Sequence, residues 1–171
     1  MSDDLVKQVL ADQTIPDPVR KALSSGAELE EIRLDQLGRW HHGGQIIEHP
    51  RIADLFHKSI NRTAGGTFVL EIWKFTYPIV VEDTPFFVEA IAVEESGKIV
   101  ARLSDDSREE IDLATLRLTD ADRLVCSVKE GRFEARFQRH PFHDLLTLAE
   151  ERDGDLILTL GGRTQVLSSD I

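Results

Sequence analysis

The chain has 171 residues, of which 41% are hydrophobic and 30% are charged, a composition typical of a globular protein with one domain or two small halves. Its formal net charge of -11 at pH 7 argues against nucleic acid polymers and anionic membranes as partners, because both are bound through lysine and arginine that neutralise phosphates. No apolar run is long enough to span a bilayer, so no membrane partner is expected.

The start of the chain and its cysteine content indicate a cytoplasmic protein. The sequence begins "MSDDLVKQVLAD", with acidic residues where a signal peptide needs a basic flank. The one cysteine, Cys126, has no partner for an internal disulfide, which fits a reducing compartment. A cytoplasmic location is therefore expected.

Residues 1–36 are predicted to form a helical lead. Ser2 is a suitable N-cap, and the apolar residues that follow it share one helical face. Pro16 and Pro18 end this helix, and a second short helix is predicted around residues 19–23. Nothing in this segment indicates chemistry.

The stretch "HHGGQIIEHP", residues 41–50, begins with the signature of a hairpin turn. Gly43 and Gly44 predict a two-residue turn, because glycine tolerates positive φ at both central positions. The resulting register sets Trp40 opposite Ile47 on one face, and both are expected to be buried.

The three histidines of this stretch are not predicted to form a metal site. Because side chains alternate along a strand, the adjacent His41 and His42 point to opposite faces. His49 lies four residues past Gln45, roughly 13 Å along an extended strand, which is too far to join His42 at one ion. No metal and no other cofactor is expected.

Two similar segments indicate an internal duplication. Pro50 and Pro141 each predict the start of a helix, since proline is pre-shaped for the first helical position. Each helix is preceded by a glycine-turn hairpin and followed by a glycine and an apolar strand. The residues expected on the core-facing stripes of the two helices are Ile52, Leu55, Phe56 and Ile60, and Phe142, Leu145, Leu146 and Ala149.

The sequence of the second hairpin predicts which of its faces is buried. With Glu130 and Gly131 as its turn, alternation places six apolar or small side chains on one face. These are Leu124, Cys126, Val128, Phe133, Ala135 and Phe137. Cys126 is therefore interpreted as a small core residue rather than a nucleophile, which would need exposure and an activating base.

Further strands lie between the two copies, so the fold class is predicted to be α+β, with duplicated hairpin, helix and strand units on mostly antiparallel, curved sheets. The expected domains are a helical lead at 1–36, a first α+β repeat at 37–84 and a second α+β half at 85–171. No Walker loop, dinucleotide fingerprint, nucleophile elbow or zinc spacing is present in the sequence.

Three segments in order carry a resemblance to a known family. They are "GRWHHGGQIIEHPRIADLF", "IVVEDTPFFV" and "EARFQRHPFHDLL", of which "VEDTPFF" is the most specific. Together they resemble the bacterial domain of unknown function 1285 family, over roughly residues 34–167. The resemblance implies a duplicated α+β core, a second half similar to pleckstrin-homology folds, a nucleotide-like ligand bound where the halves meet, and a role in signal transduction.

The acidic candidates have a structural and a functional interpretation. Glu82 and Asp83 close an apolar strand, where paired acids either bind local backbone amides or serve in acid–base chemistry. Glu89 interrupts an apolar run, and it needs a basic partner if it faces inward.

The basic and aromatic candidates lie at the two hairpins. Arg136 and Arg139 lead to His140 at the start of the second helix, where free backbone amides favour an anion. Trp40 is either a core residue or a surface on which a base stacks, and His41 lies beside it.

Without a catalytic constellation, the sequence favours a non-enzymatic module that binds a nucleotide-like small molecule. Its expected ligand-binding residues are Trp40, His41, Glu82, Asp83, Arg136, Arg139 and His140. Two alternatives remain open. One is a hydrolase or lyase that uses Glu82, Asp83 or Glu89 with a histidine, and the other is an adaptor that offers a sheet edge or an aromatic patch to a protein partner.

Overall fold

Two units make up residues 1–167, the part of the chain that the computed structural model describes: Met1–Asp83, and the described residues from Thr84 onward. Each unit combines helices with mainly antiparallel sheets and contains a parallel strand pair, which confirms the α+β class. The longest helix among residues 1–167 has ten residues, and no helix there has the length and apolar character needed to cross a membrane.

The first unit begins with α1 (Asp3–Ala11) and α2 (Asp17–Ser24). Ser2 caps α1, because its side chain accepts a hydrogen bond from the backbone N–H of Leu5. The two helices bury a common apolar cluster of Leu5, Val9, Ile15 and Leu23. Residues 1–36 contain more than these helices, since strand β1 (Ile32–Leu34) also lies there and belongs to a sheet.

The predicted first hairpin is confirmed in its turn and register. Strands β2 (Trp40–His42) and β3 (Gln45–Ile46) are joined by Gly43 and Gly44, both with positive φ, and His42 faces Gln45. Trp40 is 1% exposed, as expected for a core residue, whereas Ile47 is only half-buried.

A helix and a three-stranded sheet follow this hairpin. Helix α3 (Pro50–Ser59) begins at Pro50, as predicted, and leads into β4 (Ile60–Arg62), β5 (Phe68–Ile72) and β6 (Phe75–Pro78). The expectation that Ile52 and Leu55 face the core is wrong, because they are 41% and 46% exposed. Strand β7 (Val80–Val81) then pairs in parallel with β1 and completes the sheet order β3-β2-β1-β7.

The second unit contains a six-stranded sheet. Its strands are β8 (Phe86–Val93), β9 (Ile99–Leu103), β10 (Arg108–Ile111), β11 (Arg117–Leu118), β12 (Leu124–Val128) and β13 (Phe133–Phe137), in the order β10-β9-β8-β13-β12-β11. Val128 faces Phe133, which is the register that the turn at Glu130 and Gly131 predicts. All six side chains expected on the buried face, including Cys126, are buried.

The second unit ends with α4 (Arg139–Leu146) and a three-stranded sheet of β14 (Ala149–Arg152), β15 (Asp155–Leu160) and β16 (Arg163–Leu167). Helix α4 begins two residues before Pro141, which lies in the first helical turn, and Ala149 belongs to β14 rather than to the helix. Hairpin, helix and three-stranded antiparallel sheet therefore occur in this order in both units. The similarity of the second half to pleckstrin-homology folds stays a prediction.

Candidate functional site

The predicted site residues fall into two sets by unit. Trp40, His41, Glu82 and Asp83 belong to the first unit, and Arg136, Arg139 and His140 belong to the second. The contacts of each residue show whether it stabilises the fold or lines a cleft.

Trp40 is part of the core. Its ring lies edge-on to Phe56 and His57, with centroid distances of 5.3 and 5.5 Å. The indole Nε1 is buried and has no hydrogen-bond partner among the described residues. With 1% of its surface exposed, Trp40 provides no face on which a ligand base stacks.

His41 and His42 bind different carboxylates. The Nε2 atom of His41 lies 2.8 Å from Oδ2 of Asp35, and that of His42 lies 2.9 Å from Oε2 of Glu30. The predicted divergence of the two histidines is thus confirmed. Within residues 1–167, no three histidine, cysteine or acidic side chains are grouped so that they could hold one metal ion.

Asp35 explains why His41 is held where it is. Burial acts to raise the pKa of Asp35, but hydrogen bonds from the His41 ring, from the backbone N–H groups of Arg39 and Leu37 and from the Arg39 side chain outweigh it, so the pKa is lowered. The carboxylate therefore stays charged and organises the turn before β2. His41 belongs to this turn network.

The candidate acids Glu82 and Glu89 are held by arginines. Oε1 of Glu82 lies 2.8 Å from Nη1 of Arg33, and Oε2 accepts the backbone N–H of Gln36. Glu89 lies at an irregularity in the pairing of β8 with β9, and its Oε2 is 2.7 Å from Nη1 of Arg102. Glu89 thus has the basic partner that its position in an apolar run requires. Asp83 is the half-buried last residue of the first unit.

Arg136 packs on the sheet of the second unit. Its guanidinium carbon lies 5.4 Å from the ring centroid of Phe87, which is 1% exposed. Phe87 is its register partner on β8, so the arginine covers an aromatic side chain of the neighbouring strand.

Arg139 and His140 line a cleft of about 460 Å³ on α4. The other lining residues are Phe142, His143 and Leu146. The cleft therefore combines a guanidinium and two imidazoles with an aromatic and an aliphatic side chain. His143 and Phe142 were not predicted as site residues, although a histidine three residues after His140 lies on the same helical face.

Backbone groups add to the positive character of this cleft. The N–H groups of the first helical turn have no partner within a helix, and the positive end of the helix dipole lies there. Gln138, the N-cap residue of α4, makes no side-chain capping hydrogen bond. Pro141 has no N–H group, which leaves those of Arg139 and His140 at the start of the helix.

Cys126 does not add a nucleophile to either unit. Its side chain is 1% exposed, and burial, with the charges of Glu109 and Glu134, raises the pKa of the thiol to about 12. The sulfur is therefore a protonated core atom at neutral pH, as the sequence predicted.

No protein-family model matches the chain, and no match is found among curated proteins. The chain is similar in fold to the crystal structure of a DUF1285 family protein from Silicibacter pomeroyi DSS-3, with 21% sequence identity, a TM-score of 0.65, and coverage of 81% of this chain and 80% of that one. It is also similar to the crystal structure of a DUF1285 family protein from Shewanella baltica OS155, with 16% identity, a TM-score of 0.57, and coverage of 70% of this chain and 92% of that one. The resemblance inferred from the sequence is thus confirmed for the fold.

Proposed function

We propose that the protein is a DUF1285-like binding module that holds a small, nucleotide-like anion in the cleft on α4. The observation that carries this proposal is the convergence of Arg139, His140 and His143 with Phe142 around one cleft. The similarity in fold to DUF1285 proteins supports the family part of the proposal.

The polar half of the cleft suits a phosphate group. The guanidinium of Arg139 offers a planar set of donors that matches phosphate oxygens, and the imidazoles of His140 and His143 add further N–H donors. The start of α4 contributes backbone N–H groups and the positive end of the helix dipole. The side chains and the backbone thus both favour a negatively charged ligand.

The apolar half of the cleft suits a planar ring. Phe142 offers an aromatic face, and base–aromatic stacking contributes about 1–3 kcal/mol per base. Leu146 extends the apolar surface one turn further along the helix. The volume of about 460 Å³ lies within the range typical of small-molecule sites.

Local charge makes an anion site compatible with an acidic protein. The chain carries a formal net charge of -11, but exposed charges are screened beyond about 8 Å at physiological salt. An anion within the cleft therefore interacts mainly with the arginine and histidines that line it. Distant acidic residues lower its affinity only slightly.

Binding without reaction is the simplest activity for this site, and it suits a cytoplasmic sensor in signal transduction. Two of the acids needed for the hydrolase or lyase alternative, Glu82 and Glu89, are held in arginine ion pairs. To act as a sensor, the protein also needs two conformations that bind this ligand with different affinity.

Calorimetry with three related probes tests the proposal. Adenosine monophosphate is titrated into the protein, and adenosine and inorganic phosphate are titrated separately. We expect the nucleotide to bind more tightly than either part, because it engages the cationic and the apolar half together. If none of the three probes gives binding heat, the proposed site is contradicted.

A further inference from the structure

The tip of the β5–β6 hairpin presents two aromatic side chains to solvent. Trp73 is 96% exposed and Phe75 is 64% exposed, and Lys74 lies between them. Ile72 pairs with Phe75, so Trp73 and Lys74 form a two-residue turn. An aromatic group of this size contributes most binding free energy when it is buried, and here it is nearly fully solvated.

The backbone at the tip is also unusual. Trp73 has a φ of 55°, a conformation that glycine adopts easily and that bulky side chains rarely adopt. The fold alone favours glycine at this position. A solvated tryptophan in an unfavourable backbone conformation indicates that the side chain serves an interaction.

The strand that carries the tip is poorly suited to pairing with another strand. β6 lies at the edge of the sheet β4-β5-β6, but it ends in Pro78, which has no N–H group to donate. Strand addition at β6 would lack one backbone donor, so the side chains of the tip are the better suited surface for an interaction.

A complementary cleft lies in the same unit. It has a volume of about 720 Å³, an apolar part that includes Leu23, Ala27 and Leu29, and the carboxylates of Asp3, Glu28 and Glu30. Its volume is large enough for two aromatic side chains. The N-terminal ammonium of Met1 also lines the cleft, where it donates a hydrogen bond to the carbonyl of Leu29, and Glu30 is bound by His42. Four acidic residues nevertheless line the cleft, so its charge is opposite to that of Lys74, which lies 5.8 Å from the Phe75 ring.

Strand β6 links the tip to this cleft, and both belong to the first unit. Phe75 and Tyr77 share a face of β6, because side chains alternate along a strand. The hydroxyl of Tyr77 donates a hydrogen bond to the backbone carbonyl of Glu30, and Glu30 lines the cleft. A two-fold dimer requires two complementary elements on each copy, and this unit carries both.

We propose that the tip of one copy, Trp73 to Phe75, occupies the acidic cleft of a second copy, whose own tip occupies the cleft of the first. The aromatic side chains lie on the apolar part, and Lys74 approaches Glu28 and Glu30. A second copy is the occupant because Lys74 of the tip and the carboxylates of the cleft are opposite in charge, and because the cleft volume suits two aromatic side chains. This dimer is independent of the ligand cleft on α4.

The expected dimer is weak and reversible. Each aromatic side chain buries about 150–250 Å². Two tips with two aromatics each therefore bury about 600–1,000 Å², and the clefts bury a similar area, which is in the range of small to standard interfaces. The formal charge of -11 on each copy opposes association, so a micromolar dissociation constant is expected.

Sedimentation velocity over a micromolar concentration series tests the dimer. The wild type should shift from monomer to dimer, and Trp73→Gly should stay monomeric while remaining folded, because glycine suits the backbone at this position. Leu37→Ser is the matched control, since Leu37 is 61% exposed in the same unit but lies outside tip and cleft, and it should dimerise like the wild type. A monomeric wild type, or a Trp73→Gly variant that dimerises normally, overturns the proposal.

A charge exchange tests which surfaces meet. Lys74→Glu and Glu28→Lys should each weaken self-association by about tenfold or more, since each places like charges together. An equal mixture of the two variants should restore the dimer, because each tip then meets a cleft of opposite charge. Failure of the mixture to recover overturns the pairing of tip with cleft.

Binding of the tip to a partner other than a second copy would give different results. If the wild type is monomeric and the fluorescence of Trp73 shifts to shorter wavelength only with phosphatidylcholine vesicles, the tip binds a bilayer and the proposal is overturned. If the shift appears with rising protein concentration alone and is lost in Lys74→Glu, the second copy is supported.

Discussion

Asp35 and His41 are joined by a contact of 2.8 Å between Oδ2 and Nε2, and their side chains are only 8% and 12% exposed. The same carboxylate group accepts hydrogen bonds from the backbone N–H groups of Leu37 and Arg39. One acidic residue thus fixes the turn that leads into β2, whose Trp40 enters the core. A nearly buried network of this kind is stable only while every member has its partners.

The Asp35→Asn variant should lose about 1–3 kcal/mol in the free energy of unfolding at neutral pH, because the amide replaces a charged acceptor of several hydrogen bonds. The folded pKa of Asp35 is lowered, so its contribution is complete above the unfolded value near 3.8 and is lost as pH falls through the folded pKa. The difference between wild type and variant should therefore shrink below about pH 4.

Urea unfolding at neutral and acidic pH measures this difference. Asp4→Asn is the matched control, since the Asp4 side chain is 98% exposed, and it should change stability little at either pH. Equal stability of Asp35→Asn and wild type at neutral pH would show that the network contributes nothing.

Cys126 should resist thiol reagents in the native protein. The side chain is 1% exposed, and burial raises its pKa to about 12, so neither access nor thiolate is available. Labelling with a disulfide reagent should be slow in buffer and complete in denaturant. Rapid labelling of the native protein would contradict a core position for this thiol.

Replacement of Trp73 should separate backbone strain from side-chain loss. Trp73→Gly should raise stability by up to about 1 kcal/mol relative to Trp73→Ser, because both remove the aromatic ring but only glycine tolerates the φ of 55°. Thermal melts of the two variants provide the comparison. A serine variant that is at least as stable as the glycine variant would show that the backbone at residue 73 is not strained.

Folding should not require a transition metal. His41 and His42 are bound to different carboxylates, so they do not converge on one ion. A chelator should leave the circular dichroism spectrum and the melting temperature unchanged. Stoichiometric zinc in the purified protein, lost together with structure on chelation, is the contrary result.

Local patterns predicted both hairpins because two constraints agree there. Glycine at the turn and alternation of apolar side chains fix the register to the residue, as the pairs His42 with Gln45 and Val128 with Phe133 illustrate. Helix positions were predicted less well. Periodicity identified α3, but the extent to which neighbours cover its apolar face depends on the tertiary fold, so Leu55 is exposed.

The candidate site was predicted only where local geometry determines it. Arg139 and His140 were found because a helix start favours anions whatever surrounds it. The arginine partners of Glu82 and Glu89 come from 49 and 13 residues away, and no local pattern specifies such pairs. The exposure of Trp73 was not predicted, since an aromatic residue beside a strand ordinarily enters a core.

The most direct test of the proposed ligand site is calorimetry of Arg139→Ala with adenosine monophosphate. Its matched control is Arg152→Ala, which removes the same charge from an exposed position of the same unit. Arg139→Ala should weaken binding by about 1–3 kcal/mol, or about 5-fold to 150-fold, and Arg152→Ala should bind like the wild type. A folded Arg139→Ala variant with unchanged affinity would contradict the assignment of the ligand to the cleft on α4.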